Sequence, residues 1–304
     1  MPKNNRFLYL LTAILIAFCA CGTAARQEPV PIIFYYDADF WTIYDLSRTS
    51  FPTQERFEEL TGSYIAQIEE RLGLTGWLQE INPNADTLVF HLNIQGEKSS
   101  TAFLPNVLEN EAEVRITLSR KALSSVGFDS ALPHELTHMM CHSFSQSLEE
   151  GICDYMNDEI GATGFCKELG WDIQEFYKII PEEYARTRQM SEAELVEIIG
   201  FIGTEGIGYP YAKYDTSKAL NSPKSTLWYE YSASFVRYLM EQYETEQVVN
   251  LIRMGEDESA YTEYLGKSLE DLKKDWLSYM EALEPVHDFQ DFEHAIQEFY
   301  AKNP

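Results

Sequence analysis

Apolar residues recur along the chain at two spacings, and the change from one to the other falls near residue 130. Upstream, three short runs alternate between apolar and polar positions and predict strands, at residues 31–37, 86–94 and 113–119. Apolar positions three and four apart also predict a helix over residues 52–73, which ends on Gly73. Downstream, the helical spacing predicts helices at 131–145, 148–158, 173–187, 191–201, 228–243, 245–254, 268–282 and 289–302.

This pattern predicts an α+β fold with two lobes. A small mixed β-sheet and a helix form the N-terminal lobe, residues 28–130, which packs on a mostly helical C-terminal lobe, residues 131–304. Residues 203–224 are rich in glycine, proline and tyrosine and predict a long loop. A hydrophobic content of 45% is typical of a globular protein, and a net charge of −26 without a basic stripe excludes nucleic acid as a partner.

The first residues have the pattern of an export signal. Lys3 and Arg6 precede FLYLLTAILIAFCA, an apolar run of 14 residues, which is shorter than the roughly 20 of a membrane-spanning helix. FCACG then resembles a bacterial lipobox at Cys21, although Phe18 stands where leucine is usual. We expect a lipoprotein signal peptide over residues 1–20 and a lipid anchor on Cys21, which places the protein at the cell surface or facing the periplasm. Ordinary cleavage within GTAA, giving a secreted protein, and a short membrane anchor are the alternatives.

Three cysteines follow Cys21, at positions 141, 153 and 166. An odd number allows at most one bridge among them, and Cys153 with Cys166 is one pairing that an oxidising compartment permits. Buried free thiols are the alternative, because unpaired cysteine behaves as a small apolar residue.

The segment HELTH carries the candidate chemistry. On a helix, His134 and His138 are four residues apart and share one face, so their imidazoles can bind the same metal ion. Glu135 lies beside them, where a carboxylate can take a proton from the attacking water. His142 extends the same stripe, but we expect it to support the site or to pack in the core rather than bind the metal, because a fourth protein ligand would close the site.

A second acidic segment follows eleven residues after His138. SLEEGICDYM offers Glu149, Glu150 and Asp154 on the next predicted helix. Catalytic zinc usually has three protein ligands and one open position, so one of these acids can complete the set. If Glu150 is that ligand, Asp154 lies one turn further on the same face, where it can accept a hydrogen bond from a ligand histidine.

HExxH followed by a helix with EEG and a further acid resembles the gluzincin metallopeptidases, in particular the peptidase MA-like and aminopeptidase-N-like families. The resemblance implies a zincin-like fold and Zn²⁺ bound by His134, His138 and Glu150. Glu149 then falls in a variable position. Asp154 matches the acid that thermolysin-like gluzincins have four residues after the ligand glutamate.

WYEYSASFVRYLMEQYETEQVVNLI, residues 228–252, is similar to a second helix of these families, whose leading tyrosine donates to the oxyanion. Aligned residue by residue, that tyrosine is Tyr229, and Tyr231 is the alternative if the alignment slips by two. The GxMEN segment that binds the substrate amine in aminopeptidases is absent from this chain, so the resemblance does not imply exopeptidase specificity.

The resemblance implies an exported zinc metallopeptidase, which hydrolyses a peptide or protein substrate with zinc-activated water and Glu135 as the general base. Two alternatives stay open: a non-catalytic zinc-binding surface lipoprotein, and a zinc hydrolase of a non-peptide bond. The intact Glu135 argues against the first, because a binding protein has no use for a general base at that position.

Overall fold

The computed structural model of the chain describes residues 30–43, 53–95, 99–105, 108–119, 132–160, 165–204 and 223–302. The chain divides into two compact units, Met1–Pro31 and Ile32–Pro304, and every element named below belongs to the second. The expected signal peptide over 1–20, the anchor at Cys21 and most of the loop predicted at 203–224 lie outside the described residues.

Four strands form one mixed sheet, at Ile32–Tyr36 (β1), Thr87–Ile94 (β2), Ser100–Phe103 (β3) and Glu111–Leu118 (β4). Their order is β1-β2-β4-β3. β1, β2 and β4 are parallel, and β3 pairs antiparallel with β4 at the edge. The three predicted strands are therefore confirmed. β3 is a strand that the pattern missed, because its four residues are mostly exposed and do not alternate in burial.

The other described elements are helices, some of which pack on the sheet while most pack on one another. In chain order they are α1 Phe40–Ile43, α2 Gln54–Leu72, α3 Trp77–Ile81, α4 Leu132–Met140, α5 Gln146–Ile160, α6 Phe165–Leu169, α7 Ile173–Thr187, α8 Glu192–Gly200, α9 Pro223–Gln242, α10 Thr245–Met254, α11 Ser259–Leu265, α12 Leu269–Ala282 and α13 Phe289–Lys302. This combination of helices with one small sheet is that of an α+β protein, as predicted. The boundary between the lobes, at residues 130 and 131, stays a prediction.

α2 shows why the upstream periodicity was informative. Thr53 caps its first turn by accepting a hydrogen bond from the Arg56 backbone N–H, and Gly73 ends it at a φ of 62°, a conformation that glycine adopts readily. The side chain of Phe57 is fully buried and meets Phe34 of β1 edge to face. This apolar face holds the helix against the sheet.

Two helix ends differ from the prediction by five residues, each for a local reason. α4 ends at Met140 rather than at 145, because the next residues turn: the Ser143 backbone N–H donates to the Glu149 carboxylate at 3.0 Å. α9 begins at Pro223 rather than at 228. Proline is well suited to the first position of a helix, where a backbone N–H has no partner within the helix.

The contact between α5 and α9 forms the centre of the helical part. Gly151 makes it possible, because a Cβ at this position would lie 2.5 Å from the Ser232 carbonyl oxygen and from the Val236 side chain. Behind α9, Ser234 accepts a hydrogen bond from the Trp276 indole of α12 at 3.0 Å and donates to Gln174 of α7 at 3.1 Å. α9 is therefore buried on several sides, and its position relative to α5 is fixed.

Two further expectations concern the described residues. Cys141, Cys153 and Cys166 are all buried and all free thiols, so the pairing of Cys153 with Cys166 does not form. None of the described helices combines the length and the apolar character that a membrane-spanning helix requires.

Candidate metal centre

α4 presents the two histidines of HELTH to one point. His134 and His138 are one turn apart, and their Nε2 atoms are 3.1 Å from each other. The helix is held locally by Thr137, whose hydroxyl donates to the Pro133 carbonyl at 2.8 Å. The two rings are roughly perpendicular, at 70°, so that both can approach a shared ion through nitrogen.

α5 brings a carboxylate to the same point. Its first turn follows the short connection after α4, and Glu150 Oε2 lies 3.2 Å from His134 Nε2 and 3.3 Å from His138 Nε2. The Glu150 side chain is almost fully buried. Three potential ligand atoms from two helices thus lie within 3.3 Å of one another.

The outer nitrogens of both rings are occupied by other acids of α5. His134 Nδ1 lies 2.8 Å from Asp154 Oδ1, and His138 Nδ1 lies 3.0 Å from Glu149 Oε1. Carboxylates accept hydrogen bonds, so each Nδ1 carries a proton, and a neutral ring is left with a lone pair on Nε2. With both rings neutral, two lone pairs and the Glu150 carboxylate would face one another, so this point needs a positive charge, from a proton on an imidazole or from a metal ion.

The pKa values of His138 and Glu150 indicate the same need for positive charge at this point. Burial lowers the pKa of His138, but hydrogen bonds with Glu149 and Glu150 outweigh burial and raise that pKa to about 9. Burial raises the pKa of Glu150, but both histidines outweigh it and hold that pKa well below its ordinary value. The site is satisfied by protons on the imidazoles or by a metal ion in their place.

Glu135 lies next to this cluster and is held by the sheet. Glu135 is 4% exposed. The Thr101 hydroxyl of β3 lies 2.8 Å from Glu135 Oε2 and 2.9 Å from the Glu135 backbone oxygen. Burial raises the pKa of Glu135, while His134 and His138 act in the opposite direction. A buried carboxylate with a raised pKa beside candidate metal ligands has the properties of a general base.

Cys153 is a rival to Glu150 as the third ligand. One ring nitrogen of each histidine and Cys153 Sγ all lie within 4.8 Å of one another. Glu150 is closer, at 3.2 and 3.3 Å. Burial raises the pKa of the Cys153 thiol well above its ordinary value, and a protonated thiol is a poor ligand. The geometry therefore favours Glu150.

The two tyrosines of α9 are two positions apart and therefore lie on different faces of the helix. Tyr231 packs its ring against Trp276 of α12 at 6.1 Å, and burial raises its pKa to about 12. Tyr229 is three residues before Ser232 and seven before Val236, so it shares the face of α9 that contacts Gly151. Gly151 directly follows Glu150, which makes Tyr229 the better placed of the two.

The sequence pattern did not assign the roles of two residues of this region. Glu149 holds the second histidine and also accepts from the Ser143 backbone, although it had been assigned to a variable position. Thr101 comes from the unpredicted strand β3. His142 contacts the same Glu149 carboxylate at 3.3 Å and not the shared Nε2 point, as expected for a supporting residue.

Comparison of the chain with protein-family models, curated proteins and solved structures gives no match in any of the three. The resemblance to gluzincins therefore stays a prediction, carried by the residues named above.

Proposed function

We propose that the protein is a zinc-dependent metallopeptidase of gluzincin type with a zincin-like arrangement of sheet and helices. One observation carries the proposal. The Nε2 atoms of His134 and His138 and one oxygen of Glu150 converge within 3.3 Å of one another, while the Nδ1 atoms of both rings are held by carboxylates. Two imidazoles and a carboxylate are ligands that zinc has in enzymes, and carboxylates on the other ring nitrogens commonly hold such ligands in place.

The spacing of the three atoms fits zinc. In tetrahedral coordination with bonds of about 2.0–2.1 Å, ligand atoms are separated by roughly 3.3 Å. The three separations here are 3.1, 3.2 and 3.3 Å. Bound at this point, Zn²⁺ would lower the pKa of a water molecule and polarise a substrate carbonyl.

The protein's own residues would then perform the proton transfers and hold the geometry. Glu135 would accept a proton from the attacking water and pass it to the leaving amine. Asp154 and Glu149 would keep both imidazoles in the tautomer that presents Nε2. We assign to Tyr229 the donation of a hydrogen bond to the oxyanion, because it lies on the α9 face next to Glu150.

Export and a lipid anchor at Cys21 are part of the proposal and depend on the sequence alone. Replacement of Cys21 by serine should release the protein from the membrane fraction. Wild-type protein found free in the medium, with an N-terminus inside GTAARQ, would instead indicate ordinary cleavage and a secreted protein.

The direct test is cleavage of a peptide library by the purified mature chain, with zinc bound and after chelation. We expect cleavage that chelation abolishes and that zinc restores. Glu135→Gln should keep the metal and lose about 10²–10⁴-fold in turnover. Zinc binding without hydrolysis of peptides or esters would favour a non-catalytic zinc protein, and hydrolysis of esters alone would favour a non-peptide hydrolase.

Tyr229 has its own matched control on the same helix. Tyr229→Phe should lower kcat by about 10²–10³-fold with little change in KM or zinc content, because the hydrogen bond forms as charge develops. Tyr231→Phe should have no such effect, since that ring packs on Trp276. The reverse result would move the role to Tyr231.

A further inference from the structure

The edge strand β3 makes two contacts with the segment that carries the candidate general base. Thr101 and Phe103 alternate with Ser100 and Ala102, so they share the face of β3 that meets α4. Thr101 contacts Glu135, and the Phe103 ring meets the His142 ring at 4.9 Å. The strand thus lies along this segment from Glu135 to His142.

The Thr101 hydroxyl reaches two acceptors of the same residue. It lies 2.8 Å from Glu135 Oε2 and 2.9 Å from the Glu135 backbone oxygen, so its single proton is shared between them. A rotation of the Glu135 side chain would lengthen the first contact while the second stays in place. The backbone contact therefore fixes the donor relative to α4, and the donor in turn fixes the carboxylate.

We propose that Thr101 is a positioning residue, which holds Glu135 Oε2 so that Oε1 is the oxygen that accepts the proton from water. This inference rests on the proposed function. Without a donor on Oε2, the two carboxylate oxygens could exchange places. With that donor, one orientation is present before substrate binds, as preorganised catalysis requires.

The residue type at position 101 suits this role. A hydroxyl donates a hydrogen bond without carrying a positive charge, so it does not form an ion pair that would keep Glu135 from accepting a proton. Threonine is branched at Cβ, which restricts its first side-chain torsion, and it lies in a strand paired with Ile116 of β4. The donor is therefore held by the sheet, while the acceptor belongs to the metal-binding helix.

The test compares four variants of the full mature chain. Thr101→Val keeps the shape and removes the hydroxyl, and it should lower kcat about 10- to 100-fold, the effect of losing a hydrogen bond to a charged group. KM and zinc content should stay as in wild type. Thr101→Ser restores the hydroxyl and should stay within about threefold of wild type.

Two controls separate positioning from simple packing. Ser100→Ala removes a hydroxyl on the other face of β3, and Phe103→Leu weakens the contact with His142 without touching Glu135. Both should leave kcat close to wild type. If Phe103→Leu lowers kcat as much as Thr101→Val does, or if Thr101→Ser fails to restore it, docking of the strand explains the effect and the inference is wrong.

Crystal structures of wild type and Thr101→Val give a readout that does not depend on activity. We expect the Glu135 carboxylate to keep its contact with Thr101 in wild type and to turn in the variant. An unchanged carboxylate in the variant overturns the inference, whatever the kinetics. If wild type hydrolyses nothing but the carboxylate still turns in the variant, positioning by Thr101 stands and the proposed function fails.

Discussion

α5 carries buried and half-buried acids in two neighbouring regions, which differ in where their positive charge comes from. In the first, Glu150 and Asp154 face the histidines of α4, and the positive charge between the Nε2 atoms would come from protons on the imidazoles or from a metal ion. In the second, one to two turns further along, Asp158 and Glu159 face the guanidinium of Arg237 on α9 at 3.6 and 3.2 Å.

The second region supplies its own counterion. Glu159 is also paired with Arg71 and Lys167, and its pKa is lowered because Arg237 and Lys167 outweigh burial. Asp158 accepts a hydrogen bond from the Tyr177 hydroxyl at 2.5 Å. Burial nevertheless raises the pKa of Asp158 to about 7, because it exceeds the attraction of Arg237.

The difference shows how acids with a structural role can be distinguished from candidate metal-binding acids on the same helix. A buried carboxylate whose cation is a residue of the same chain contributes to the fold. Imidazole nitrogens and a carboxylate that converge on one point, where a metal ion can take the place of the imidazole protons, indicate a candidate metal site. The metal centre and the Arg237 cluster should therefore respond oppositely to substitution.

The largest expected effect is loss of the metal. Glu150→Gln keeps the volume of the side chain but removes the charge, and it should lose zinc on dialysis. We expect the loss of affinity to exceed the about 10- to 100-fold that outer partners cost. Cys153→Ser is the matched control and should keep about one zinc per chain, measured by elemental analysis. Retention by Glu150→Gln with loss by Cys153→Ser would assign the third ligand to Cys153.

The next effect is on stability and should leave zinc unchanged. Arg237→Met leaves Asp158 and Glu159 without their shared cation, and it should lower the free energy of unfolding by about 3 kcal/mol, as measured by denaturant titration. Arg186→Met breaks the exposed ion pair with Glu183 and should change stability by less than about 1 kcal/mol. Loss of zinc in Arg237→Met without loss of stability would erase the distinction between the two regions.

A smaller effect on zinc compares two acids one turn apart on α5. Asp154→Asn weakens the support of His134 and should reduce zinc affinity about 10- to 100-fold, measured by competition with a chelator. Asp158→Asn should leave zinc affinity as in wild type, because Asp158 pairs with Tyr177 and Arg237. Equal losses in both variants would mean that the acids of α5 form one network.

The last prediction concerns a pH dependence of stability. The pKa of Asp158 is raised in the folded state from 3.8 to about 7, so the folded protein binds a proton more tightly than the unfolded chain. The contribution of this residue to stability is complete below about pH 4 and falls as pH rises towards 7. Asp158→Asn should therefore show a shallower decline in unfolding free energy between these values at equal zinc content. An identical slope would show that Asp158 does not titrate in this range.

Local periodicity determined most of the elements. α7 and α10 have the predicted bounds, because their apolar positions recur with the period of a helix and every turn carries the signal. β3 was missed because an exposed strand of four residues has no such signal, and only its pairing with β4 defines it. The strand that holds Glu135 was therefore outside the reach of the pattern.

Within the candidate site, the sequence by itself determined that His134 and His138 share a face, because a spacing of four residues on a helix is a local property. Only the tertiary structure decided which acid meets which nitrogen. Glu149 and Glu150 are adjacent in the chain, yet the docking of α5 against α4 brings one to Nδ1 and the other to Nε2. Only the contact of α9 with Gly151 bears on the choice between Tyr229 and Tyr231, because helix periodicity separates the two side chains but does not say which one faces the neighbouring helix. The assignment to Tyr229 stays a proposal.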